Sequence, residues 1–342
     1  MKPKRLYDLI LNNVVVVFTL LLVIWCHWHY PQFRKNAPVD ILKRTAAYLI
    51  MPLGVGGVML LGGTDLSAGR IMGFTAIVST SLLQKLTAPT RMFTNLTFDI
   101  PISVVLPAVL AVGGLIGLFV GAIVGKLKLK SWLVTLCVQM MMYGIMLAYM
   151  SLGTNKGSSV SNLRADYKNF IAGNLIHIGS WQIPNYVWYI IIVTFIVWFI
   201  WNKTKLGHEM RFVGENRQAA EISGVNVNRV IIGAFVMAGM LYAFNGFVEA
   251  ARAGGSGGSC GNGAECDAIT ACLIGGVSLR GGRGRISGIV FGTIVLQLIS
   301  VCFQWMSVSA NYVTIIKGAI MLVAAACDMR RYWRVEQPQE IL

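Results

Sequence analysis

The run PISVVLPAVLAVGGLIGLFVGAIVG, from Pro101 to Gly125, contains no charged residue. Wound as a helix it reaches about 37 Å at ~1.5 Å per residue, longer than the ~30 Å hydrocarbon core of a bilayer. In lipid every backbone N–H and C=O needs a partner inside the structure, and a helix supplies one within its own segment. Working outward, nine more apolar stretches obey the same logic: 12–30, 46–61, 71–86, 131–152, 186–201, 229–250, 267–279, 286–304 and 311–328. The weak alternation of outer-membrane barrel strands is absent. The expected fold is all-α: a polytopic membrane protein of about ten transmembrane helices, forming one transmembrane domain over 1–342.

Composition agrees with this reading. Hydrophobic residues make up 56% of the 342 and charged residues 13%, with a mean hydropathy of +0.65. A soluble domain carries about 25% charge. The net charge of +15 implies nucleic acid only if it is not otherwise placed, because cytoplasmic loops of membrane proteins concentrate Lys and Arg. With the N-terminus inside, eighteen of the 29 basic residues fall on the cytoplasmic side and ten outside, with Lys317 inside the last span. Both termini are therefore expected in the cytoplasm, with the lipid bilayer as partner and no nucleic acid.

Three segments test that topology. The basic residues from Arg34 to Arg44 fall on the wrong side, and a short interfacial helix would reconcile them. The stretch 267–279 is short and runs into Arg280-Gly-Gly-Arg-Gly-Arg285; it is kept as a crossing. Met1–Tyr30 has a long apolar run without a small-residue cleavage site, so it reads as an uncleaved first helix.

Glycine marks the packing. Gly113, Gly117, Gly121 and Gly125 recur every fourth residue, as do Gly284, Gly288 and Gly292, and Gly69 is followed by Gly73. Between helices in lipid, small residues allow close backbone approach, which does more of the work than apolar burial. Polar side chains also fall into stripes: Thr135, Gln139 and Tyr143; Tyr242, Asn245 and Glu249; Thr293, Gln297, Ser300 and Gln304. Any one stripe suffices as interhelical glue, but three together point to a polar route. Neutral amides, hydroxyls and phenols suit a hydroxyl-rich solute better than a bare ion. The expected route residues are Thr64, Asp65, Ser67, Gln139, Tyr143, Asn245 and Glu249.

The interruption Gly62-Gly-Thr-Asp-Leu-Ser-Ala-Gly-Arg70 separates two apolar stretches. Its glycines permit a broken helix, Thr64 or Asp65 is suited to cap the next helix, and Arg70 is suited to pair with Asp65. Glu249 and Arg252, three apart, are spaced to neutralise each other. Lys317 has no acidic neighbour in sequence.

Other chemistry fails on context. Gly254–Gly258 matches G-x-S-x-G, but a transmembrane helix stands where a nucleophile elbow needs a strand. Gly121-Ala-Ile-Val-Gly-Lys126 is one residue short of a phosphate loop, and Leu127 replaces its Ser or Thr. No nucleotide, metal or other cofactor site is expected; His27 and His29 share no ligand pattern. Cys260 and Cys266 share the outer loop, where a disulfide is allowed in an oxidising compartment. The other cysteines read as small packing residues.

The longest cytoplasmic connection, about 202–228, contains Asn216-Arg-Gln-Ala219-Ala220-Glu-Ile-Ser-Gly224. Asn216 is placed to cap a helix of two turns that Gly224 stops. A helix this short is marginal alone and needs a surface to dock on. Here the chain resembles the coupling segment of bacterial ABC-importer permeases, with Ala219-Ala220 and Gly224 at the A-A-x-x-x-G spacing. GGTDLSAGR (62–70) resembles the signature of the monosaccharide branch, which transports ribose, xylose and galactose. WNKTKLG (201–207), AAEISGVNV (219–227), DAITACLIGGVSLRGG (267–282) and IIKGAI (315–320) are similar in order to its galactose/methyl-galactoside members, while 251–266 departs from them.

The resemblance implies a multi-pass permease of the bacterial cytoplasmic membrane, without an ATPase site of its own, that moves galactose or methyl-galactoside by alternating access. It also implies a second permease copy, sugar ABC ATPase subunits that hydrolyse ATP, and an extracytoplasmic sugar-binding protein. Asn216, Ala219, Ala220 and Gly224 would carry the ATPase motion. A nucleoside or other hydroxylated solute is the nearest alternative cargo. A proton-coupled secondary transporter using Asp65, Glu249 or Asp267 is the alternative mechanism.

Overall fold

The computed structural model describes residues 14–336, except 89, 90, 96, 154, 155, 179 and 180. Residues 12 and 13 of the first expected span lie outside the described residues. All ten apolar stretches fall on helices: α1 (Val14–His29), α2 (Pro31–Leu60), α3 (Ala68–Leu82), α4 (Ile102–Lys126) and α5 (Ser131–Met150) in the first half. After α6 (Ala165–Ala172) come α7 (Asn185–Lys203), α8 (Lys205–Glu215), α9 (Arg217–Ile222), α10 (Val227–Ala253), α11 (Ala264–Ile274), α12 (Ile286–Trp305) and α13 (Ala310–Glu336). Six of these, α4, α5, α7, α10, α12 and α13, are long and apolar enough to cross a membrane.

Among the described residues the all-α expectation holds apart from one antiparallel hairpin, β1 (Asn174–Ile178) with β2 (Trp181–Pro184). Arg34 to Arg44 do not form a separate interfacial helix. They open α2, which runs unbroken from Pro31 through Pro38 and Pro52 to Leu60. Pro52 has no N–H to donate, so the Tyr48 carbonyl one turn earlier is left without its helical donor. The second half of α2 is buried from Thr45 to Leu60 except for Tyr48, as expected of a helix at the centre of a bundle.

The glycine stripe of α4 packs against α10. A Cβ on Gly117 would collide with the Phe235 carbonyl oxygen, and one on Gly113 with that of Gly239. The two backbones touch, and a side chain at either position would push the helices apart. Gly292 of α12 meets Ala271 of α11 in the same way, and Gly288 meets Gly275, which caps α11.

Beyond α1, two of the ten stretches fall on helices that by themselves are well short of the hydrocarbon core. α11 has 11 residues and α3 has 15, or about 16 and 22 Å of rise against ~30 Å of hydrocarbon. Each adjoins a glycine turn, and the two turns meet. Gly282 N donates to Leu60 O at 2.9 Å. A Cβ on Gly62 would lie 2.8 Å from Arg280 O, and one on Gly214 would lie 2.6 Å from Gly282 N. The end of α8, the end of α2 and the turn after α11 are therefore joined main chain to main chain.

On the opposite face Arg164 forms a clasp. Its guanidinium donates to Ile100 O at 2.9 Å, lies 3.3 Å from Asp99 and pairs with Asp166, while its own N–H donates to Leu83 O at 3.0 Å. The clasp fixes the entry of α4 to the exit of α3.

Candidate functional site

The 62–70 interruption is built around Asp65, which is 1% exposed. Its Oδ1 accepts from Ser67 N at 2.9 Å and Ser67 Oγ at 2.6 Å, and its Oδ2 accepts from Tyr242 Oη at 3.1 Å. A buried carboxylate needs such donors, since an unpaired one is costly. Ser131 Oγ accepts from Thr64 N and Thr135 Oγ1 from Leu66 N, both at 3.1 Å. Side chains of α5, together with Asp65 itself, thus take up backbone N–H groups freed at the break, while Tyr242 of α10 satisfies the carboxylate.

Two expectations are corrected here. Ser67, not Thr64 or Asp65, occupies the N-cap of α3, and it makes no side-chain cap bond. Arg70 does not turn back to Asp65, which lies beneath α10. Its guanidinium instead reaches Asn262 Oδ1 at 2.8 Å and Gly258 O at 3.3 Å and stacks 4.3 Å from the centre of the Tyr143 ring.

A cavity of about 700 Å³ lies between α2, α10, α11, α12, α13 and the glycine loop 255–263, within the ~300–1,000 Å³ range of small-molecule sites. Asn245, Glu249, Asp267, Thr270, Gln297 and Lys317 supply much of its polar lining, with Tyr48 and Pro52 across from them. Gln297 sits near the middle of α12, so the cavity reaches bundle depth. Asn245 is 4% exposed; its Nδ2 lies 3.1 Å from Met72 Sδ and its Oδ1 has no partner. A buried amide oxygen in that state is a vacant acceptor.

Of the seven expected route residues, Asn245 and Glu249 line the cavity. Glu249 is paired with Arg252 at 2.6 Å, as its spacing implies. Thr64, Asp65 and Ser67 form the break beside it. Gln139 Nε2 donates to Glu265 Oε1 at 3.1 Å, and Tyr143 carries Arg70. The stripe of α5 therefore holds α3 and α11 in place. Sequence reasoning left out Thr270 and the ion pair Lys317–Asp267 at 2.6 Å. The missing partner of Lys317 stands fifty positions away, on another helix. An intramembrane charge with no local partner was the available signal.

In the 202–228 connection Asn216 Oδ1 accepts from Ala219 N at 3.0 Å, capping α9, and Gly224 ends it at φ +83°. Ala220 is buried, and Ile222 stands 88% exposed. α8, directly before it, was not expected. Cys260 and Cys266 are both free thiols lining the cavity.

Long apolar helices around a cavity that carries amide, hydroxyl and charged groups, two half-length helices meeting at glycine turns, and a capped helix displayed on a loop define a polytopic membrane permease. The family model described as the permease component of branched-chain amino acid transport systems matches residues 37–325. The galactose/methyl galactoside import permease protein MglC of Haemophilus influenzae is 34% identical over 97% of this chain and 98% of its own length. Its counterpart in Escherichia coli K12 is 36% identical over 94% and 95%, and the ribose import permease protein RbsC of H. influenzae is 29% identical over 86% of each. No solved structure matches the chain. The chain belongs to the ABC-importer permease family, in its monosaccharide branch, and is a multi-pass protein of the bacterial inner membrane.

Proposed function

We propose that this chain is the membrane subunit of an ATP-driven importer that moves a monosaccharide, galactose or a methyl-galactoside, by alternating access. The cavity carries this reading: it is lined by neutral amides and hydroxyls together with charges that occur in pairs. A bare ion gains little from such a wall, whereas a polyol exchanges its water hydrogen bonds for protein ones. The names of the relatives support the choice of cargo.

In this reading the chain crosses the membrane about ten times, α3 and α11 each crossing together with the turns that adjoin them, and both termini are cytoplasmic. The glycine loop 255–263 then lies on the outer side, where an extracytoplasmic sugar-binding protein delivers its cargo. Asn245 and Glu249 touch the solute, while Thr64, Asp65, Ser67, Gln139 and Tyr143 hold the wall that must move. A second copy of the chain and a pair of sugar ABC ATPase subunits complete the complex, and ATP is hydrolysed in those partners. Asn216, Ala219, Ala220 and Gly224 form the coupling element, and 202–228 belongs to the same single domain as the spans.

Cysteine accessibility tests the route. In proteoliposomes holding the full importer, with Cys137 and Cys260 replaced by Ser, a membrane-impermeant thiol reagent applied outside should block uptake through Cys266. The further Cys266→Ser change should make uptake resistant. Labelling of Cys266 that leaves uptake intact would refute the cavity as the route. Uptake that survives ATP depletion but collapses with a protonophore would refute the ATP-driven mechanism.

A further inference from the structure

The wall formed by α11 and α13 carries the only described ion pair that joins two helices of the cavity. Asp267 and Lys317 both line the space, 2.6 Å apart, and their side chains keep 24% and 23% exposure. Charges at membrane depth are costly and are retained where they act. A tie with a purely structural role would be closed off where its helices meet; this one stays partly exposed and borders the cavity. Thr270, one turn beyond Asp267, and Thr314, one turn before Lys317, line the same space. Next to Lys317, Gly318 leaves it open, because a Cβ there would meet nothing within 4 Å.

We propose that the Asp267–Lys317 pair is a hydroxyl-recognising subsite, reading two adjacent hydroxyls of the translocating sugar. The donor arithmetic fits. Among the described residues Lys317 uses one of its three N–H bonds, on Asp267 Oδ2, which leaves donors on Nζ and an acceptor at Oδ1. One hydroxyl accepts from Nζ and its neighbour donates to Oδ1, so a vicinal diol bridges the pair as a water chain would. The pair is neutral overall and attracts neither ion class strongly. A neutral amide pair would supply weaker bonds, since charge-assisted hydrogen bonds are about twice as strong. The gap at Gly318 is where the sugar ring lies.

This inference rests on the cavity being the route, and the test separates the two. Initial uptake of galactose and of each monodeoxygalactose is measured in proteoliposomes with the complete importer, for the wild type, Asp267→Asn and Lys317→Gln. Dividing each variant's galactose-to-deoxy ratio by that of the wild type cancels the preference of the binding protein. At two adjacent positions the ratio should fall about tenfold, the size expected when a charge-assisted bond is lost, and stay unchanged elsewhere. Equal ratios at every position would overturn the subsite. Should either variant fail to assemble, the wild type still decides: protection of Cys266 from alkylation should be lost with the same two deoxy sugars and kept with the others. Protection by all of them alike would overturn the proposal. Gly318→Trp, which fills the gap, should abolish uptake; if it does not, the route reading itself fails.

Discussion

Tyr242 Oη donates to Asp65 Oδ2 at 3.1 Å, joining two residues 177 positions apart and fixing the middle of α10 to the break before α3. Tyr242 is fully buried and its ring packs on Gly54 of α2. Tyr242→Phe keeps the ring and removes one of three donors to a buried carboxylate. The loss should cost about 1–3 kcal/mol, and Asp65→Ala should cost more by stranding all three donors. Thermal unfolding of the purified chain in detergent checks the order; a wild-type midpoint for Tyr242→Phe would show the bond to be dispensable.

Gly117 and Gly144 form a matched pair of glycines in membrane helices. A Cβ on Gly117 meets the Phe235 carbonyl, while one on Gly144 meets nothing within 4 Å. Gly117→Leu should therefore prevent the close packing of α4 on α10 and yield aggregated protein, and Gly144→Leu should behave as wild type. Size-exclusion profiles after membrane extraction distinguish them.

Removing the cap of α9 should uncouple the importer before it unfolds it. Asn216→Ala loses the bond to Ala219 N, worth about 1 kcal/mol, in a helix of six residues. Stimulation of ATPase activity by loaded binding protein should drop while the chain still extracts as a stable species. Ile222→Asp, which leaves the cap intact and charges the exposed apolar tip, should have the same effect.

The Arg164 clasp carries a pH signature. Arg164 hydrogen-bonds the Asp166 carboxyl and holds it below the usual carboxylate range. A carboxylate with a lowered folded value stabilises above its unfolded value, about 3.9, and loses that contribution as pH falls through the folded one. Protection of α6 against proteolysis should therefore be level from pH 7 to about pH 5 and fall only below about pH 4. Arg164→Met should be weakened throughout, with no such step.

Much of the helical frame was legible because apolar length and glycine spacing are properties of one segment. The α4 stripe predicted a close-packed face, and α10 fills it. Partners were not legible. Periodicity told which face of α5 is polar, but not that Thr135 accepts from Leu66 N or that Gln139 reaches Glu265. Asp65 was matched to Arg70, its nearest cation in sequence, because separation along the chain was the only distance available. The bond to Tyr242 depends on how α3 and α10 cross. The helix α8 and the hairpin escaped notice for another reason: neither is an apolar run, and their neighbours shape them.

The meeting of Leu60, Gly214 and Gly282 has a mechanical consequence. Side chains absorb small displacements by changing rotamer, and a junction of bare main chain has no rotamers to change. If the end of α8 shifts, it must carry the turns after α2 and α11 with it or break the Gly282–Leu60 bond. The three strands of chain behave at that point as a single bearing without play.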